Sequence, residues 1–379
     1  MSFKRSDINL GNWRTPPYAR WAFQNVQEIV PSAIIKGASR TESATVPLGK
    51  LAALTVLDEA GSPSKLDDFL EASKADSLVI MQDGEFVAEW HAPTCDRMKP
   101  HLCFSVSKSV TGILAGILAD KGILSPDDPI AKYIPESKGS AYGDATIRQV
   151  LDMEVALDFN EDYLDNTGGF DRYRRSTSWN PEDLKHPSTD LKTFLCTIPK
   201  RNEEHGLIHR YYSPNTDMIG AVLEAASGRR VSDLLSESIW IPMGAHSDAF
   251  ITVDRVGSPR TAGGMSITPR DLARFGDIVR KKGMGLVSEN WIADLWNGSR
   301  ETWDRGDQVT LFLGGSYRSF WYETGRGEIA AIGIHGQWIW VDPANATTII
   351  LQSAQDVPVS RSLEFAAMGM FRDIIKALG

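Results

Sequence analysis

The chain is short of the features that mark several large protein classes. Its 379 residues include only three cysteines, Cys95, Cys103 and Cys196, with no CxxC pair, which excludes a disulfide framework. No apolar run approaches the ~20 residues that a bilayer crossing needs. The opening segment MSFKRSDINLGNWRTPPYAR is polar and lacks the apolar stretch of a signal peptide, so a cytoplasmic protein with no membrane partner is expected. Basic side chains are in deficit, 40 against 49 acidic ones, for a net charge of -9. Phosphate backbones are bound by basic surfaces, so nucleic acid is not an expected partner. Gly263-Gly264 and Gly314-Gly315 match neither GxGxxG nor GxxxxGK[ST], and no nucleotide site is readable. GxSxG is missing as well, which argues against an α/β-hydrolase fold. His205 and His209 lie four apart beside Glu203 and Glu204, yet Gly206 and the absent HExxH order disfavour a zinc helix. Neither a metal nor a cofactor is expected.

The remaining composition is that of a folded globular protein, with 42% hydrophobic and 23% charged residues. At ~100–200 residues per domain, the length allows two or three domains. Residues 1 to about 50 carry Pro, Arg and aromatics without a period and read as an arm wrapping the surface. SKLDDFLEASKAD (64–76) spaces Leu66, Phe69, Leu70 and Ala75 as an amphipathic helix does. In SLVIMQDGEFVAEWH (77–91), two β-prone runs flank Asp83-Gly84, a pair suited to a two-residue hairpin turn. The segment SVSKSVTGILAGILADKGIL from Ser105 is apolar on most faces, with Gly122 as its stop, and predicts a buried central helix.

Residues 125–250 contain loops and short helices, TIRQVLDM (146–153) and MIGAVLEAASG (218–228), with almost no strand signal. Strand-like runs return at 327–343 and 346–354, and SLEFAAMGMFRDIIKAL (362–378) predicts a closing helix. The pattern predicts an α/β protein, an α+β sandwich of antiparallel sheet and helices. Residues 1–104 and 250–379 would build the sheet domain, and 105–249 an inserted helical domain with the active site at the junction.

SxxK occurs twice, at Ser62–Lys65 and Ser105–Lys108. Ser62 follows a glycine and is expected to open a charged, solvent-facing helix, where Lys65 is most simply a surface ion. Ser105 opens the buried helix, which puts Lys108 one turn along the same face, inside the protein. A lysine with an ordinary pKa of ~10.4 is only ~0.1% neutral at pH 7, and burial lowers that value. A neutral amine beside Ser105 can take its proton, and the helix N-terminus favours an oxyanion. The alternative is a buried serine with a snorkelling lysine. In IHRYYSPNTD (208–217), a tyrosine hydroxyl could relay a proton to a leaving group, or the pair could be packing. In GIHGQ (333–337), read as lying inside a strand run, the glycines allow close approach and a strand N–H could be a second oxyanion donor. His335 alone reads most simply as a hydrogen-bonded structural histidine.

Taken in order, FSVSKSVTG, YYSPNTD, TAGGMSITPRDLARFG and GIHGQWIWVDP resemble the serine β-lactamase-like superfamily, which includes class C enzymes, penicillin-binding proteins and related esterases. Within it, RWAF, VLDM, NEDY, SPNTD, ITVD and AIGIHGQ are similar to the nylon-oligomer (aminohexanoate-dimer) hydrolases over nearly the whole chain from about residue 12. The resemblance implies a Ser-Lys-Tyr acyl hydrolase acting on a small-molecule ester or a linear amide such as an aminohexanoate oligomer. Ser105 would be the nucleophile, Lys108 its base and Tyr211 the catalytic tyrosine, with Tyr212 as the fallback. The backbone N–H groups of Ser105 and Ile334 would form the oxyanion hole. Tyr163, Trp179, Ser213 and His335 would contact substrate.

An ungapped count puts Arg174 where the amide-specialised relatives have an amine-pairing aspartate, with Asp171 able to substitute under a loop shift. Ala262 replaces a polar residue that assists the tyrosine there. The sheet edge has no KTG, so β-lactamase activity is disfavoured, and the missing leader also disfavours a cell-wall peptidase. The rival reading is a catalytically silent member that binds peptide-like ligands or regulates. A homodimer is left open.

Overall fold

The alternation around Asp83-Gly84 forms a hairpin in the computed structural model, which describes residues 3–165 and 167–379. Ala75–Gln82 pairs antiparallel with Glu85–His91, and both turn residues have positive φ, 53° and 90°. This hairpin is the edge of a seven-stranded antiparallel sheet. Thr347–Ser353 lies next to Ala75–Gln82, followed by Gln337–Asp342, Ile329–Gly333, Trp321–Glu323 and Ser316–Arg318. Residues far apart in the chain therefore share the centre of one sheet. That sheet is buried on both faces, so its inner strands are apolar without alternation. Trp338 and Trp340 pack on Phe371 of the closing helix Arg361–Leu378. Ile339 and Val341, pointing the other way, meet Gly276 of the helix Pro269–Arg280.

The central helix spans Val106–Asp120, and all but its last two residues are buried. It runs between the sheet and a second long helix, Ser213–Ser227. The close approach rests on Gly112, where a Cβ would lie 2.2 Å from the Ser319 carbonyl oxygen. A smaller antiparallel sheet orders Ser32–Ile35, Ala249–Thr252, Met265–Ile267 and His101–Leu102. His101–Leu102 leads directly into Ser105, and the Cys103 N–H donates to the Met265 carbonyl at 2.8 Å. The 261–265 segment is thereby laid alongside the first turn of the central helix.

Four expectations need correction. The first fifty residues do not merely wrap the surface. Trp13, Ala22 and Phe23 are fully buried, and Ser32–Ile35 is a sheet strand. Ser62 does not open a helix, because Pro63–Lys65 pairs as a short strand and the helix begins at Leu66. The run 327–343 is two strands, with GIHGQ forming the turn between them rather than lying within one. The helix expected from Met218 starts five residues earlier, at Ser213, because Pro214 is accommodated in its first turn.

Candidate active site

Ser105 caps the central helix, and the preceding Phe104 is held at φ 44°, a left-handed conformation that costs a bulky residue about 1–3 kcal/mol. Lys108, one turn on, is 1% exposed. Its Nζ donates to Ser105 Oγ at 2.8 Å and to the Ala262 carbonyl at 2.7 Å. Among the described residues no carboxylate is within ion-pair distance of it. Burial lowers its pKa from 10.5 to about 7, against the raising influence of Glu161; the Arg260 charge lowers it further and Asp217 opposes. The Tyr211 ring lies 5.0 Å from the same Nζ, and its hydroxyl interacts with the Ser105 and Tyr322 side chains. Burial, then Glu161, pushes that phenol well up, so it stays protonated at neutral pH. Tyr212 points elsewhere, its hydroxyl accepting from Arg201 at 3.2 Å. Of the two tyrosines, Tyr211 is the one beside Ser105.

The turn Ile334–Gly336 reaches the same point. A Cβ on Gly333 would lie 2.6 Å from the Cys103 carbonyl and 3.1 Å from the Ser105 nitrogen, so only glycine lets the two segments meet. The Ser105 and Ile334 N–H groups have no hydrogen-bond acceptor among the described residues, whereas the His335 N–H donates to the Pro358 carbonyl at 2.8 Å. His335 Nδ1 faces the Gln355 carbonyl at 2.6 Å. A carbonyl only accepts, so Nδ1 carries the proton. Burial lowers the ring's pKa to about 4, and it is neutral at pH 7.

A cavity of about 270 Å³ opens over Ser105, lined by Tyr163, Arg174, Trp179, Ser213, Ile334 and His335 among others. Trp179 is fixed by its indole N–H to Thr252 Oγ1 at 3.0 Å. Arg174 faces this cavity and donates to the Tyr163 carbonyl at 2.7 Å. Asp171 does not line it. Its two oxygens are taken by Arg175 at 2.9 Å and Asn180 at 2.7 Å. The hydroxyl of Tyr163, a residue expected to contact substrate, donates instead to Glu161 at 2.9 Å. Ser213 Oγ donates to the same carboxylate at 2.6 Å.

Four charged residues of the site escaped the sequence reading. Glu161 stands inside NEDY and Asp217 inside SPNTD, but neither motif reveals what its acid touches. Asp217 accepts the Ala262 N–H at 2.7 Å and the Tyr173 hydroxyl at 2.6 Å, and it pairs with Arg260. It thereby holds Ala262, whose carbonyl receives Lys108. Arg260 precedes TAGGMS directly, while Arg14 arrives from the N-terminal segment, and both line the cavity. No local pattern could have found Arg14.

The rival constellations are structural. Ser62 and Lys65 are exposed. His205 bridges the Ala156 N–H and Asp144, while His209 is buried against the Asp152 carbonyl. Ser77 meets His91 at 2.9 Å, with Glu89 behind it at 3.2 Å, but its complete burial in the large sheet removes it from any substrate.

A family model described as Beta-lactamase matches residues 66–368. The chain is 34% identical over 378 residues to the 6-aminohexanoate-dimer hydrolase of Paenarthrobacter ureafaciens, covering 97% of this chain and 94% of that one. A solved structure from Bacillus anthracis, described as a candidate 6-aminohexanoate-dimer hydrolase, superposes with a TM-score of 0.88 at 21% identity, over 100% of this chain and 99% of that one. A family VIII carboxylesterase shares the fold at TM-score 0.57 and 13% identity, over 81% and 95% of the two chains. Among the described residues no helix is long and apolar enough to cross a membrane.

Proposed function

Because the chain belongs to the β-lactamase family and is a serine hydrolase of that fold, we propose that it cleaves carboxylic esters and linear amides through an acyl-enzyme on Ser105. The observation that carries this reading is the buried Lys108 Nζ, 2.8 Å from Ser105 Oγ, with a pKa near 7. About half of such amines are neutral at pH 7 and can accept the Ser105 proton as Oγ bonds to the carbonyl carbon. The carbonyl oxygen becomes an oxyanion between the Ser105 and Ile334 N–H groups, whose free donors are suited to it. Tyr211, held protonated, gives its proton to the departing oxygen or nitrogen as that bond breaks, and recovers one from Lys108. Water then attacks the acyl-enzyme by the reverse proton path, releasing the acid and restoring Ser105. Tyr163, Trp179, Ser213 and His335 shape the acyl pocket, and no step calls for a metal or cofactor.

Labelling with a fluorophosphonate tests the assignment. Ser105 should carry the adduct by peptide mass, and Ser105→Ala should lose both the label and hydrolysis of p-nitrophenyl butyrate. Ser62→Ala should keep both. A wild type that neither takes the label nor turns over the ester would instead be a ligand-binding member of the family.

A further inference from the structure

Three arginines line the Ser105 cavity: Arg14, Arg174 and Arg260. Their partners differ. Arg260 is neutralised by Asp217. Arg174 and Arg14 have no carboxylate partner among the described residues, bonding instead to the neutral Tyr163 carbonyl and to Asn180 Oδ1. Each guanidinium has five N–H donors, so most of these remain unspent. The nearby acids are committed elsewhere. Asp171 is held by Arg175 and Asn180, Glu161 by Tyr163 and Ser213, and Asp356 on the cavity wall by Lys74. Aromatic rings hold the two cations in place. Arg174 lies 4.3 Å over Phe170, and Arg14 lies 5.0 Å from the Trp13 ring and 5.7 Å from Trp179. Both have pKa values lowered chiefly by burial, Arg14 to about 9, with Arg174 and then Arg260 adding to Arg14 and Arg260 to Arg174, against a smaller opposing influence of Asp171 on both and of Tyr163 and Glu161 on Arg174. Arg174 is buried and Arg14 half-buried; cations withdrawn from water without a paired carboxylate are costly, and planar guanidinium forks match a carboxylate.

We infer that the substrate supplies the missing charge, so that the natural substrate is an ester or linear amide whose acyl part carries its own free carboxylate, received by Arg174 and Arg14. This specificity rests on the acyl-hydrolase reading of the same cavity. It disfavours substrates whose only charge is an ammonium group.

The test uses the intact Ser105→Ala chain, which can bind without turnover, and calorimetry with monomethyl glutarate and dimethyl glutarate. The monoester should bind at least tenfold tighter, and the gap should narrow with added salt. Arg174→Met and, separately, Arg14→Gln should each shrink it severalfold, while Arg174→Lys, which keeps the charge but not the planar fork, should retain only part of it. With wild type, kcat/KM for the p-nitrophenyl monoester of glutarate should exceed that for p-nitrophenyl pentanoate by a similar factor. Equal binding of the two methyl esters, or a gap untouched in both arginine variants, would overturn the inference. Loss of fluorophosphonate labelling in wild type would sink the acyl-hydrolase reading instead, and the calorimetric result would still decide the charge question.

Discussion

Replacing Lys108 with methionine should remove the proton acceptor of Ser105 and, at the same time, stabilise the fold. The drop in pKa from 10.5 to about 7 has burial as its first cause. At about 1.4 kcal/mol per tenfold change, it corresponds to a cost of ~5 kcal/mol when both folded and unfolded chains are protonated. Methionine has a similar shape and no charge. It forfeits the bonds to Ser105 and to the Ala262 carbonyl, and an unpaired buried carbonyl costs about 1–3 kcal/mol. The net expectation at pH 6 is a variant more stable than wild type by about 2–4 kcal/mol. Between about pH 7 and 10.5 the unfolded chain binds this proton and the folded one does not. Wild-type stability therefore rises with pH relative to the variant, and the variant's advantage should vanish near pH 10. Urea denaturation of both proteins at pH 6 and 10 reads this directly, since groups common to both cancel in the difference. Wild-type kcat/KM should fall roughly tenfold per pH unit below 7, and the methionine variant should be inactive. A variant less stable than wild type by the same margin at both pH values, or a wild-type rate flat from pH 5 to 8, would refute a neutral lysine base.

Other consequences follow from the same geometry. Tyr211→Phe should lower kcat by about 10²–10⁴ on ethyl esters and amides, and by less on p-nitrophenyl esters, whose leaving group needs no proton; Tyr212→Phe, with its hydroxyl on Arg201, should leave that contrast unchanged. Glu161→Gln removes a negative charge that raises the Lys108 pKa, so the acidic limb of the kcat/KM profile should move to lower pH, and a limb moving upward would contradict the electrostatic assignment. Arg174→Asp should raise turnover of aminohexanoate-type dimers relative to simple esters by tenfold or more, since one decade needs only ~1.4 kcal/mol; equal changes in both, measured by kcat/KM, would remove Arg174 from the pocket's specificity.

The fold was legible wherever short-range pattern decides structure. Asp83-Gly84 predicts its hairpin because a two-residue turn of this kind needs positive φ, and the Ser105 helix shows itself through a surface that is apolar on most faces. GIHGQ misled, because apolar residues on both flanks conceal a turn when both adjoining strands are buried. The surface-arm reading of the first fifty residues failed for a related reason, since an irregular segment has no period to reveal that Trp13 is fully buried.

For the site, sequence alone determined that Ser105 and Lys108 share a helix face one turn apart, because the helical repeat dictates that neighbourhood. It also determined that this SxxK, unlike Ser62–Lys65, lies inside the protein, because only the segment that follows it is apolar on most faces. Which tyrosine meets Ser105, and whether Arg174 or Asp171 enters the cavity, was beyond it. Adjacent or near-adjacent residues compete there, and their side-chain directions depend on partners far away, Arg201 for Tyr212 and Asn180 for Asp171. Only the tertiary structure joined Arg14 to Arg174 across 160 residues of chain and tied Asp217 to the carbonyl that holds Lys108. Electrostatic contacts of that kind depend on distance in space, and no sequence period encodes them.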